Sequence, residues 1–139
     1  FFFKQKTAYE ISTRDWSSDV CSSDLDQYHQ RSKTQIQRIN AENLTILVPF
    51  PVYLETYNLL LYRLGTEQAI KFARDCIESV YFLNPSQEQY IAAAEKAACF
   101  PDQTIALCDA ITAILSEEMK LQIWTYDYHF DVMKVQVWR

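Results

Sequence analysis

Residues 104–130 read TIALCDAITAILSEEMKLQIWTYDYHF. Apolar side chains recur at helical spacing over residues 104–119, and the run LQIWT at residues 121–125 is short, apolar and suited to a buried strand. A helix that leads directly into a strand is typical of a parallel sheet covered by helices. The segment therefore predicts an α/β fold, with Asp109 inside the helix and Asp127 just past the strand.

The same alternation extends over the rest of the chain after residue 25. Further strands are predicted at residues 45–48, 79–83 and 135–138. Further helices are predicted at residues 26–41, 51–64, 66–78 and 86–98. The helix ends have recognisable signals, with Asp26 as an N-cap, Gly65 as a stop, and Ser86 with Gln89 as a capping box. Strands that alternate with helices predict a three-layer α/β/α fold with a parallel sheet.

Composition and charge limit the kinds of function that fit the chain. Its 139 residues suit one domain, and 49% apolar with 14% aromatic residues exclude a disordered composition. Gly65 is the single glycine of the sequence, so a glycine-rich phosphate loop is excluded. The net charge of −5 gives no broad electrostatic footprint for nucleic acid. Any chemistry on nucleic acid must therefore rest on a local site at which cations neutralise the charge.

The cysteines and the longest apolar runs bear on the cellular compartment. Cys21, Cys76, Cys99 and Cys108 lack the spacing of metal ligands or of a redox pair, so we predict free and mostly buried thiols. No run approaches the ~20 apolar residues that a membrane span needs. The opening Phe-Phe-Phe is followed by polar residues and does not form a signal peptide. The expected location is the cytoplasm.

Residues 1–25, FFFKQKTAYEISTRDWSSDVCSSDL, differ from the rest of the chain. They show no sustained period of a helix or a strand. The segment resembles a translated sequencing-adapter read-through, a non-native sequence that is excluded from fold reasoning. We therefore expect residues 1–25 to lie outside the fold and residues 26–139 to form the domain.

Three acids occupy positions where a carboxylate is costly. Asp109 has apolar neighbours one helical turn away, Glu55 lies on or beside the packing stripe of helix 51–64, and Asp127 follows a strand end. Taken singly, Asp109 and Glu55 can be boundary carboxylates paired with a basic residue, and Asp127 can be a turn or helix cap. Together they can converge at one sheet edge, where a divalent cation would relieve their repulsion. His29 and His129 are interpreted as surface or capping residues.

Oxygen ligands favour Mg²⁺ or Mn²⁺ over Zn²⁺. A Mg²⁺ ion held by carboxylates suits phosphodiester hydrolysis, because it polarises the phosphoryl oxygen and stabilises the leaving oxygen. The residues themselves thus point to a metal-dependent phosphodiesterase site.

Four blocks of the sequence resemble successive motifs of the PIN-domain family: DQYH (26–29), ILVPFPVYLETYNLLLYRLG (46–65), TIALCDAITAIL (104–115) and WTYDYHF (124–130). Their order and spacing agree along residues 26–131. The resemblance implies an α/β/α nuclease of the kind found in VapC-type toxins, which cut RNA and pair with an antitoxin. It implies that Glu55, Asp109 and Asp127 form the acidic metal site.

The resemblance also implies supporting positions and one departure. Thr125 matches a hydroxyl residue of the family that helps orient metal or water. Asp26 matches an acid at the start of a helix, and Asp131 is an acid just past the last motif. The family begins with an apolar central strand that ends in a metal-ligating Asp. We expect this first strand to be missing here, with its place taken by residues 1–25. The chain is therefore expected to be destabilised and to have weak or no nuclease activity.

The leading hypothesis is a cytoplasmic, Mg²⁺- or Mn²⁺-dependent endoribonuclease, the toxin of a toxin–antitoxin pair. Expected partners are RNA, a small antitoxin and a second copy of the chain bound through the apolar helix 51–64. The alternative is a PIN-like interaction module without catalysis, and a third hypothesis is a small-molecule phosphohydrolase with the same acids. The simpler interpretation of four basic residues is that they lie on solvated helix faces. They are also the candidates for substrate contact: Arg31, Lys33, Arg38 and Arg63.

Overall fold

A computed structural model of the chain describes residues 2–3, 31 and 34–139. In these ranges the helices are α1 (34–41), α2 (Phe50–Leu64), α3 (Thr66–Ser79), α4 (Gln87–Ala98), α5 (Leu107–Met119) and α6 (His129–Val132). The strands are β1 (Phe2–Phe3), β2 (Leu47–Pro49), β3 (Tyr81–Leu83), β4 (Ile123–Trp124) and β5 (Val137–Trp138). The predicted alternation of helices and strands is confirmed within the described ranges.

The five strands form one sheet in the order β3-β2-β1-β4-β5, and every pairing is parallel. Successive side chains of a strand point to opposite faces. Ile123 packs in one hydrophobic core and its neighbour Trp124 packs in another. Val137 and Trp138 of β5 divide in the same way. The sheet is therefore covered on both faces, which confirms the predicted three-layer α/β/α fold.

Each face of the sheet has its own core. On one face, α1, α2 and α3 contribute buried side chains, among them Ile39, Val52, Leu60 and Phe72. On the other face, α4, α5 and α6 contribute Ala93, Ile111, Leu115 and Phe130. Burial of such apolar side chains contributes about 1.5–3 kcal/mol each and is the main force that holds the layers together. Asp109 of α5 is followed directly by Ala110 and Ile111, which belong to the second core.

The central strand differs from the expectation. Phe2 pairs with Leu47 on one side, and Phe2 and Phe3 pair with Ile123 and Trp124 on the other. The prediction that the first, central strand is missing is therefore wrong. A parallel ladder uses backbone groups that any residue except proline supplies, and aromatic residues suit a strand. Phe2 and Phe3 of the segment 1–25 thus belong to the sheet. Residues 4–30 lie outside the described residues.

Most helix ends are where local signals predicted them. Ser86 Oγ accepts a hydrogen bond from the backbone N of Gln89 at 3.3 Å, and Gln89 Oε1 accepts one from the backbone N of Ser86 at 2.8 Å. This is the predicted capping box. Helix α5, however, begins at Leu107 rather than at residue 104, because Ala106 is extended. Ile105 reaches the second core from this extended segment, so its helical spacing did not indicate helix.

The described cysteines agree in part with the sequence prediction. Cys76 (buried), Cys99 (exposed) and Cys108 (partly buried) are not in disulfides, which confirms that part of the prediction, whereas Cys21 lies outside the described residues. The prediction that the thiols are mostly buried holds for Cys76 but not for Cys99. Within the described ranges, every helix is too short or too polar to cross a membrane.

Candidate metal centre

Two structural elements bring the central acids together. Asp109 lies in the first turn of α5, and only 7% of its surface is exposed. Asp127 lies three residues after the end of β4, at the edge of the sheet where parallel strands end. In open parallel sheets this edge is the usual place for ligands. The helix and the strand therefore direct two carboxylates to one place from different parts of the chain.

A histidine completes the cluster. Asp109, Asp127 and His129 each offer a ligand atom, and these atoms lie within 4.8 Å of one another. Asp127 Oδ1 accepts a hydrogen bond from the backbone N of His129 at 2.9 Å, and His129 Nδ1 lies 3.1 Å from the same oxygen. Both groups act on one carboxylate oxygen, so they fix the orientation of the Asp127 side chain.

Thr125 shapes the backbone beneath the cluster. Its side chain is fully buried, and its Oγ1 accepts a hydrogen bond from the backbone N of Asp127 at 3.0 Å. Its carbonyl oxygen accepts one from Arg139 Nε at 3.3 Å. The hydroxyl therefore supports the turn that carries Asp127.

Glu55 is not a member of the group of Asp109, Asp127 and His129. It is half-buried in α2, beside the buried residues Val52 and Thr56. Helix α2 contacts α5. The structure thus brings together two of the three acids from the sequence prediction and adds a histidine in place of the third.

The remaining candidate residues are paired with another side chain, lie at the surface, or lie outside the described residues. Asp131 is exposed and pairs with Arg139 at 2.6 Å. Arg38 pairs with Glu42 at 2.6 Å and lies over the Trp138 ring, 5.0 Å from its centre. Arg31 lines a surface pocket, and Arg63 is exposed at the end of α2. Asp26 and Lys33 lie outside the described residues.

Comparisons with known proteins add an independent observation. Protein-family models give no match, and neither do curated proteins. Among solved structures, VapC20 of Mycobacterium tuberculosis, a toxin that cleaves the sarcin-ricin loop, matches with a TM-score of 0.72 and 17% identity, over 96% of this chain and 95% of that one. The chain has the fold of the VapC toxins.

Two further solved structures match this chain. VapBC2 of Rickettsia felis, bound to a DNA fragment from its promoter, has a TM-score of 0.67 and 12% identity, over 98% of this chain and 94% of that one. FitAcB of Neisseria gonorrhoeae has a TM-score of 0.63 and 11% identity, over 99% of this chain and 96% of that one. These likenesses agree with the α/β/α fold that the PIN-domain resemblance implied.

Sequence reasoning missed the place of His129 in this VapC-like fold. The residue was interpreted as a surface or capping side chain, whereas its ring is half-buried beside Asp127. The signal that was available is its position two residues after an acid that follows a strand end. Asp127 also forms the turn that begins α6, so the alternative interpretation of Asp127 as a helix cap agrees with the hydrogen bond to the backbone N of His129.

The donor set of Asp109, Asp127 and His129 fits a divalent cation. Two carboxylates at short distance repel each other unless a proton or a cation lies between them. Carboxylate oxygens favour Mg²⁺ or Mn²⁺. An imidazole nitrogen also binds Mn²⁺ and softer metal ions. His129 Nδ1 already contacts Asp127, and such contacts orient metal-ligating carboxylates in many proteins.

Proposed function

We propose that the chain is a metal-dependent endoribonuclease of the VapC type. The observation that supports this most directly is the convergence of Asp109, Asp127 and His129 within 4.8 Å at the ligand-binding edge of a parallel sheet. Asp109 and Asp127 would hold a Mg²⁺ or Mn²⁺ ion. Such an ion supplies charge stabilisation for phosphodiester hydrolysis when it is bound.

The side chains around the cluster have separate tasks in this proposal. The burial of Asp109 keeps water away from its carboxylate, which strengthens its interaction with a cation. Thr125 sets the turn that presents Asp127, and His129 fixes the carboxylate orientation. Glu55 on the neighbouring α2 remains a proposed contributor through the resemblance to the PIN-domain family.

The substrate and partner follow from the similar structures. VapC20 is a toxin that cleaves the sarcin-ricin loop. The resemblance to VapC-type toxins also implies an antitoxin partner. By analogy we propose that this chain acts on RNA and binds a small antitoxin. Cleavage of a ribosomal RNA or transfer RNA mixture, with and without added divalent cation, tests the substrate class.

The end of the central strand limits the expected activity. The residues after Phe3 are Lys4, Gln5 and Lys6, and the next acid is Glu10. The family pattern places a metal-ligating Asp directly at the end of this strand. We therefore propose that the chain cleaves RNA weakly, although its central strand is present.

The deciding experiment measures Mn²⁺ binding first and cleavage second. Asp109→Asn removes one charge without changing side-chain size, and the exposed Asp102→Asn is the matched control. We expect the Asp109 variant to lose Mn²⁺ binding by electron paramagnetic resonance titration, whereas the Asp102 variant retains it. Equal binding by both variants would refute the metal centre.

For cleavage, Lys4→Asp supplies an acid at the end of the central strand, and Asp109→Asn is added in that background. We expect the added Asp109→Asn substitution to lower RNA cleavage by at least about 100-fold, because it removes several kcal/mol of charge stabilisation. An Asp102→Asn change in the same background is expected to leave cleavage unaltered.

A second function, a PIN-like interaction module without hydrolysis, is favoured by the lysine after the central strand. It predicts that Lys4→Asp and Asp109→Asn have no effect on RNA, while the chain still binds a partner protein. Mg²⁺-dependent cleavage by the Lys4→Asp variant would exclude this alternative.

A further inference from the structure

A pocket of about 410 Å³ lies beside the segment that follows β4 and leads into Asp127. Its lining joins distant parts of the chain: Arg31, Thr34 and Gln35 from the first helical segment, Tyr126, and Arg139. Tyr126 directly precedes Asp127, so the pocket and the metal centre share one short backbone segment. Neither the cluster of Asp109, Asp127 and His129 nor the fold comparison assigns a role to this pocket.

Gln35 presents a donor to the pocket. Its Oε1 accepts hydrogen bonds from Trp124 Nε1 at 2.6 Å and from the Tyr126 hydroxyl. An indole N–H can only donate, so the amide atom that faces Trp124 must be the oxygen. The amide nitrogen, with its two hydrogens, is therefore the end that Gln35 can offer to a ligand.

The two arginines make the pocket cationic. Arg139 is held in place, because its Nη2 pairs with Asp131 at 2.6 Å and its Nε donates to the Thr125 carbonyl at 3.3 Å. Arg31 is exposed and adds a second guanidinium group. Among the described residues that line the pocket, Arg31 and Arg139 are the charged ones, and Asp131 pairs with Arg139. Guanidinium and amide donors together suit a phosphate oxygen.

We propose that this pocket binds a backbone phosphate of the RNA strand next to the phosphate that the metal centre holds. The proposal rests on the proposed ribonuclease function for the identity of the ligand. The guanidinium groups of Arg31 and Arg139 and the Gln35 amide nitrogen contact the phosphate oxygens. The half-buried Tyr126 ring lines the pocket and offers a surface on which a base can stack.

The experiment measures RNA binding without hydrolysis. A short fluorescein-labelled single-stranded RNA is titrated with the full chain in EDTA, and fluorescence anisotropy gives Kd at several salt concentrations. Arg31→Gln is expected to raise Kd about tenfold and to lower the slope of log K against log salt by about 0.7, the value for one phosphate contact to a single strand. Arg74→Gln, which removes an exposed arginine of α3 outside the pocket, is the matched control.

Gln35→Glu provides a second variant that preserves the fold. A carboxylate oxygen still accepts from Trp124 and Tyr126, but the donor nitrogen becomes a negatively charged oxygen. We expect a loss of RNA affinity at least as large as that of Arg31→Gln, with an unchanged circular dichroism spectrum and melting temperature.

The possible outcomes separate this proposal from the proposed function. Equal Kd for wild type, Arg31→Gln and Gln35→Glu, or an equal loss in Arg74→Gln, would overturn the pocket even if the chain cleaves RNA. Absence of RNA binding by the wild type in EDTA would overturn it as well. If binding depends on Arg31 and Gln35 while Asp109→Asn retains Mn²⁺, the pocket stands and the metal centre fails.

Discussion

Asp109 lies in the first turn of α5, where the positive end of the helix dipole favours a negative charge by roughly 0.3–1 kcal/mol. This position offsets part of the cost of burying a carboxylate with 7% exposure. The sequence identified the acid through its apolar neighbours but placed it in the middle of a longer helix. The later start of α5, which the sequence pattern did not show, moves Asp109 to the helix end.

His129 provides a test at the scale of one residue. His129→Gln removes the imidazole that contacts Asp127, and loss of such an orienting group typically lowers metal affinity about 10–100-fold. We expect a weaker Mn²⁺ titration endpoint by electron paramagnetic resonance, with little change in thermal stability. His29→Gln changes the other histidine of the sequence and serves as the control. An unchanged Mn²⁺ affinity in His129→Gln would show that the imidazole does not orient the site.

Cys76 makes the stability of the chain depend on alkaline pH. Burial, together with the nearby Asp75, raises the pKa of the Cys76 thiol from 9.0 to about 12. The neutral thiol is therefore favoured in the folded state, and its contribution to stability is complete below pH 9. The contribution is lost as the pH rises from 9 to about 12, because the unfolded chain releases the proton first.

Urea unfolding at several pH values measures this effect. The free-energy difference between wild type and Cys76→Ala is expected to decrease above pH 9. Cys99→Ala changes an exposed thiol and is expected to show no such trend. A constant difference between wild type and Cys76→Ala from pH 8 to pH 11 would contradict the raised pKa.

At the scale of the elements, Gly65 determines how α2 is followed by α3. Its φ of 87° and ψ of 176° lie in a region that residues with a side chain avoid. A Cβ at this position would meet no atom within 4 Å, so a substitution is penalised by backbone conformation alone. Gly65→Ala is therefore expected to lower the free energy of unfolding by about 1–3 kcal/mol, measured by urea denaturation.

Arg74→Ala is the control for this prediction, because it places alanine at an exposed position inside α3. Its effect is expected to stay within about 0.5 kcal/mol. If Gly65→Ala is as stable as wild type, the turn between α2 and α3 has a different backbone conformation.

The boundaries of α2, α3 and α4 were predicted to within about one residue, because proline, glycine and a capping box are local signals. The start of α5 was predicted incorrectly for the opposite reason. The apolar Ile105 packs on the core from an extended segment. The spacing of apolar residues cannot distinguish a side chain that packs from an extended segment from one that packs from a helix.

At the scale of the whole molecule, one surface stands out as apolar. Phe50 and Phe82 pack edge to face with ring centres 6.2 Å apart, yet 38% and 37% of their surfaces are exposed. Leu54, one helical turn from Phe50, is 46% exposed, and Tyr81, which precedes Phe82 in β3, is 69% exposed. Strand β3 is an edge of the sheet, and an exposed apolar edge favours association with another chain. This surface includes part of the helix expected to form a dimer.

Leu54→Lys tests the dimer prediction. If two copies associate through α2, the buried charge is expected to weaken the dimer at least about tenfold, seen by sedimentation velocity at micromolar concentration. Ile91→Lys, at an exposed position of α4 on the other side of the sheet, is the matched control. Sedimentation of the wild type as a monomer over this concentration range would contradict the prediction.

The sequence by itself determined the succession of helices and strands, the parallel three-layer fold and the candidacy of Asp109 and Asp127. These features follow from local periods and from the cost of a charge among apolar neighbours. Only the tertiary structure decided that Phe2 and Phe3 fill the centre of the sheet and that His129 lies with Asp109 and Asp127. It also decided that the first helical segment and Arg139 line one pocket. Such juxtapositions depend on packing between distant segments, which no local pattern encodes.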